Sequence, residues 1–242
     1  GMPTATYAYY MTTLFLVFVL IAYFNKASAV VITGAKPMSD VHTCNEEMAR
    51  RRNASIARLS LTSSGRVDET MPHAWYRLYL AAQRETGHTK VAYVPDAATM
   101  GESGDATGYA AHVSRQLDLK PGNLRILEAS ALADADESAR SLLEDVAAVY
   151  IEQGNTYYVT YQVRRSGLDK VILDLVSRGG LYAGASAGAI LAGATIRTCE
   201  WKNWDDPGHG TSWDLRETEH GFDGLGVMDG GVSLFPHAGS EW

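Results

Sequence analysis

The chain has 242 residues, 46% hydrophobic and 20% charged, with a formal net charge of -7. That length can bury a sizeable core and suits one α/β domain with an extension. Lys and Arg are scattered, which argues against phosphate-backbone binding as a main activity, so no nucleic-acid partner is expected. The two cysteines, Cys44 and Cys199, provide neither a disulfide framework nor a Cys-based zinc site.

Residues 1–56 read as an N-terminal apolar segment followed by a linker. Gly1 to Asn25 carries no charge, and Leu14 to Phe24 is an unbroken run of 11 apolar or aromatic residues. A membrane span takes about 20 such residues. The apolar core of a signal peptide takes roughly 7 to 15, and Ala27-Ser28-Ala29 has the small-x-small form of a cleavage site. A secretory signal and a buried strand are both open readings. The first implies secretion or membrane anchoring, the second a cytoplasmic protein, and a membrane enters only through this segment. Asn53-Ala54-Ser55 is a glycosylation sequon if the chain is exported. Residues 30–56 read as a polar linker or a short surface helix.

Residues 57–242 read as the catalytic domain. Arg58 to Thr62 predicts a first strand, Met71 to Thr86 a helix and Lys90 to Pro95 a second strand. Tyr109 to Leu119 predicts a helix, Leu124 to Ala129 a third strand, Glu137 to Ala147 a helix and Val149 to Glu152 a fourth strand. Short apolar strands alternating with helices form a parallel sheet with helices on both faces. Ligands of such sheets bind beyond the carboxyl ends of the strands. The loops after Thr62, Pro95, Glu152 and Ala185 should therefore share one rim.

Two turns on that rim carry the chemistry. In Glu152 to Thr156 (EQGNT), Gly154 permits an unusual backbone angle and Asn155 can cap the helix that follows. Helices over Tyr157 to Arg165 and Leu168 to Arg178 then lead to LYAGASAGAILAG, residues 181–193. Its G-x-S-x-G core has the order strand, tight turn, helix. That order is a nucleophile elbow, in which Gly184 and Gly188 allow close backbone approach and Ser186 is thrust above the sheet edge. A tight bend without catalysis is the other reading of these five residues.

The run GNTYYVTYQVRRSGLDKVILDLVSRGGLYAGASAGAILAGATIRT resembles the core of the serine peptidase family of aspartyl dipeptidase and cyanophycinase. The resemblance extends from Arg58, through LTSSG, to His237. It implies a flavodoxin-like fold related to class I glutamine amidotransferases, with Ser in place of Cys. It also implies Ser186 as nucleophile, the N–H groups of Gly154 and Ala187 as oxyanion hole, and the histidine of Phe235-Pro236-His237 as general base. Asn155, beside the hole, is a candidate substrate-binding residue. The substrate would be a short peptide, with an N-terminal aspartate or an aspartate-containing polymer as options. No metal or organic cofactor is required.

The chemistry of each role can be weighed separately. A serine hydroxyl needs a base to take its proton and a third group to orient that base. His42 lies in the linker, His73 and His88 flank the first helix, and His112 sits on a helix. His209 and His220 fall in a polar, Gly- and Asp-rich stretch. His237 follows Val232 to Phe235, which reads as a strand able to deliver it to the sheet edge. For the acid, CEWKNWDDP offers Glu200, Asp205 and Asp206, with Glu200 preferred over Asp205.

The sequence departs from the family pattern in several places. Glu152 and Gln153 stand where glycines usually precede the oxyanion loop, and residues 207–222 look like an inserted lid. The chain also stops five residues after His237, so a truncated C-terminus is one expectation. A catalytically impaired homologue acting as a binding protein remains a rival reading. An amidotransferase-like domain would need a Cys nucleophile, and an esterase using the same elbow is a weaker rival.

Overall fold

In the computed structural model, residues 30–33, 57–63, 71–101, 106–133, 138–201, 203–208, 221–228 and 231–237 are described. The apolar run Leu14 to Phe24, the sequon, Cys44 and most of the expected lid lie outside them. No helix among the described residues is long and apolar enough to cross a membrane.

A six-stranded sheet organises the chain. Its strands are β1 (Val30–Thr33), β2 (Arg58–Thr62), β3 (Lys90–Val94), β4 (Leu124–Ile126), β5 (Val146–Ile151) and β6 (Leu181–Ala185). The spatial order is β1-β2-β6-β5-β3-β4. The five strands from β2 to β4 run parallel, and β1 pairs antiparallel with the outer edge of β2. Residues 30–33 are therefore a strand, where the sequence reads as linker or surface helix. The pairing places Val30 opposite Leu61, a partner that local composition does not reveal.

The helices are α1 (Met71–Thr86), α2 (Asp96–Thr99), α3 (Ala106–Gln116), α4 (Ser138–Glu144), α5 (Thr156–Arg165), α6 (Leu168–Ser177) and α7 (Ala187–Leu191). Strand alternation divides the core into two layers. Val91 and Tyr93 of β3, with Ala148 and Tyr150 of β5, pack under Trp75, Tyr79 and Val113 from α1 and α3. Ala92 and Val94, with Val149 and Ile151, face Val159, Val163, Ile172 and Leu175 from α5 and α6. This is the expected parallel sheet covered on both faces. β5 and β6 are buried at every position, as central strands between two helical layers must be.

The registers bring the site strands level. Thr62 pairs with Ala185, and Ile151 with Gly184, so β2, β6 and β5 end side by side. The loop after each emerges on the same rim.

Candidate active site

Ser186 sits between the fully buried β6 and the five-residue helix α7. Its φ of 46° is unusual for a residue with a side chain, and neighbouring contacts enforce it. The Ser186 N–H donates to the Thr62 carbonyl at 2.9 Å, and the Ser186 carbonyl accepts from Ile190 N–H at 2.9 Å. A Cβ on Gly184 would come within 2.4 Å of the Gly188 carbonyl group, and one on Gly188 within 2.3 Å of the Ile151 carbonyl oxygen. Both glycines are needed for close backbone approach. The buried Tyr182 hydroxyl donates to the Gly188 carbonyl at 2.6 Å and closes the turn from beneath. α7 is too short for a large macrodipole, so its electrostatic contribution comes from the local N–H groups of its first turn.

The loop after β5 is held just as tightly. Gly154 has φ +138°, and a Cβ there would lie 2.0 Å from the Ala97 carbonyl oxygen. That oxygen accepts the Asn155 N–H at 2.8 Å, while Glu152 N–H donates to Val94 at 3.0 Å. Asn155 caps α5, its Oδ1 accepting from Tyr158 N–H at 3.0 Å, and its Nδ2 donates to the Asp206 carbonyl at 2.8 Å. One Nδ2 hydrogen and one Oδ1 lone pair of this side chain remain beyond these two bonds. Glu152 is buried too, accepting from the Tyr93 hydroxyl at 3.0 Å and from Gln153 N–H at 2.9 Å. Burial raises its carboxyl pKa above the ordinary value.

His237 Nε2 lies 3.0 Å from Ser186 Oγ. Its own φ is 61°, and its N–H donates to Ser63 Oγ at 2.8 Å. The end of β2 therefore fixes both residues, Thr62 through the serine N–H and Ser63 through the histidine N–H. Ser63 belongs to the LTSSG stretch of the family resemblance, which gives it no role, and the structure reveals its contact.

The residues leading to His237 are not a strand. The Val232 carbonyl accepts Ala194 N–H at 2.9 Å, Ser233 Oγ accepts Thr195 N–H at 3.1 Å, and Thr198 Oγ1 donates to the Leu234 carbonyl. Phe235 packs its ring 4.9 Å from that of Trp201. One backbone and two side-chain hydrogen bonds to the segment after α7 thus carry His237, in place of the strand ladder suggested by Val232 to Phe235.

The candidate acids engage other groups. Glu200 faces Arg197 at 3.8 Å on a short 3₁₀ turn, Arg197–Trp201. Asp205 Oδ2 accepts Thr156 N–H at 2.9 Å at the start of α5, and desolvation raises its pKa. Asp206 Oδ1 accepts Gly208 N–H at 2.9 Å. Each of these contacts leaves further acceptor positions on its carboxylate, so Glu200, Asp205 and Asp206 all stay candidates for the acid that orients His237. The ring beside His237 is Trp204, 5.5 Å away between centroids. Cys199 is buried, and desolvation pushes its thiol up to about 12.

A strained serine at a strand-to-helix turn, within hydrogen-bond reach of a histidine, has the arrangement that a serine nucleophile and its base would need. The chain belongs to peptidase family S51, whose model matches residues 59–241. Peptidase E of Shigella sonnei (strain Ss046) is 33% identical over 173 residues, covering 70% of this chain and 66% of that protein. Peptidase E of Escherichia coli O1:K1 / APEC matches over the same shares. The chain thus spans slightly less than two thirds of these relatives' length. The crystal structure of a peptidase from an acI-B1 Actinobacterium superimposes with a TM-score of 0.55 at 21% identity. That match covers 74% of this chain and 67% of the other, a likeness of fold.

Proposed function

We propose that the protein is a serine-type peptidase that hydrolyses short peptides through an acyl-enzyme. The observation that carries this reading is the 3.0 Å approach of His237 Nε2 to Ser186 Oγ at a turn with the geometry of a nucleophile elbow. His237 takes the hydroxyl proton as Oγ attacks the peptide carbonyl carbon. The tetrahedral oxyanion is held by the N–H groups of Gly154 and Ala187. The C–N bond breaks as His237 returns that proton to the departing amine. Water then attacks the ester, again losing its proton to His237, and releases the acid with Ser186 restored. Preorganised backbone donors matter most here, because one such donor is typically worth about 100- to 1,000-fold in rate.

Family resemblance makes an N-terminal aspartate the first acyl group to try. Activity on dipeptides, an amidotransferase-like ancestry of the fold and the domain division at residue 57 belong to the same reading. The rival reading, a catalytically impaired homologue that binds peptides, rests on Glu152 and Gln153 standing where glycines usually precede the oxyanion loop. A panel of dipeptides and tripeptides with acidic or neutral N-termini, followed by mass spectrometry, separates the two. Cleavage lost in Ser186→Ala supports the peptidase. Binding without cleavage supports the rival.

A further inference from the structure

Trp204 stands beside His237, at the start of a segment fastened to the loop after β5. The next two residues are fastened to the start of α5, Asp205 through its carboxylate to Thr156 N–H at 2.9 Å and Asp206 through its carbonyl to Asn155 Nδ2 at 2.8 Å. These anchors directly follow Gly154 in sequence. On the other side, the indole centroid is 5.5 Å from the His237 ring, tilted 58° to it. Trp204 nevertheless remains 60% exposed. Trp201, equally exposed, packs against Phe235, two residues before His237. Large aromatic surface left open beside a reactive histidine is a feature that binding would cover.

Proton-transfer geometry identifies what could cover it. A base that returns its proton to the departing amine must come within about 2.6–3.2 Å of that nitrogen. The residue carrying the nitrogen therefore passes beside His237, within reach of an indole 5.5 Å from the imidazole. The acyl side of the scissile bond is held separately, at Ser186 and the oxyanion donors. We propose that Trp204 is the wall of the leaving-group subsite, and that the enzyme prefers a flat apolar residue, phenylalanine over glycine, on the C-terminal side of the cleaved bond. This inference rests on the serine-peptidase reading and concerns the side of the substrate that an N-terminal aspartate leaves open.

A fluorophosphonate that labels Ser186 tests the proposal without knowledge of the acyl group. Labelling is timed in the presence of phenylalaninamide or glycinamide, which stand in for the leaving amine. Each variant is normalised to its own rate without an amide, so any effect of Trp204 on His237 itself cancels. In wild type and Trp204→Phe, phenylalaninamide should slow labelling at a concentration about fivefold or more below that required for glycinamide. In Trp204→Ala, with folding verified by thermal melting, the two amides should come within about twofold. Equal protection in wild type, protection by neither amide, or discrimination unchanged in Trp204→Ala would overturn the subsite. Failure of folded wild type to label would instead remove the serine-peptidase reading, and the subsite with it.

Discussion

Ser63 Oγ accepts the backbone N–H of His237 at 2.8 Å, across 174 positions of sequence. The neighbouring Thr62 carbonyl accepts the N–H of Ser186, so two consecutive residues at the end of β2 set the distance between hydroxyl and imidazole. Ser63→Ala removes the acceptor at a residue that is 8% exposed. The expected loss of stability is about 1 kcal/mol. Fluorophosphonate labelling should slow by roughly tenfold because the base is misplaced. Ser63→Thr keeps the acceptor and should recover most of the rate. Labelling time courses with thermal melts distinguish this positioning role from simple destabilisation.

Gly188 shows how tightly the turn is packed. Its added Cβ would lie 2.3 Å from the Ile151 carbonyl oxygen, at the end of a central strand that cannot yield. Gly188→Ala should cost about 3 kcal/mol through overpacking. A urea titration reads the cost directly, and labelling of the surviving folded fraction should fall with it.

Asp145 bridges two strands by pairing with Arg125 at 2.8 Å and with Lys90 of β3. Hydrogen bonds from Arg125 and Lys90 lower its carboxyl pKa from 3.8 to about 2. A folded-state pKa below the unfolded value contributes stability above pH 3.8 that is lost as pH falls through about 2. The carboxylate is 42% exposed, so screening limits the effect to at most about 1 kcal/mol. Asp145→Asn should therefore be less stable than wild type near neutrality, with the difference closing toward pH 2. Chemical denaturation across that range checks it.

Glu152 has the opposite sign. Its buried carboxyl is raised above the ordinary value of 4.5, so its contribution is fully present below that pH and is lost as pH rises through the raised value. In Glu152→Gln the amide oxygen can still accept Gln153 N–H, and the amide nitrogen can donate to a reoriented Tyr93 hydroxyl. The variant should gain on wild type as pH rises from 4 to 8. Urea midpoints at several pH values would show that slope, and parallel curves would contradict it.

The parts of the fold legible in the sequence are those encoded by local periodicity. Trp75, Leu78, Tyr79 and Ala82 mark α1 over Met71–Thr86, and GASAG marks the turn at Ser186 because close backbone approach leaves few residue choices. β5 starts at Val146, ahead of the expected Val149, because Ala147 and Ala148 suit a helix until tertiary burial decides. Val232 to Phe235 alternates like a strand, yet it bonds to Ala194, Thr195 and Thr198. Spacing also cannot separate a carboxylate that caps a helix from one that orients a histidine.

The central claim is that Ser186 is a nucleophile activated by His237, and labelling kinetics test it most directly. Purified protein should be modified by a fluorophosphonate at Ser186, identified by peptide mass spectrometry. Ser186→Ala should abolish modification, and His237→Ala should slow it by at least about 1,000-fold while preserving the thermal melt. Folded wild type that resists the reagent, or labelling that persists undiminished in His237→Ala, would contradict the account.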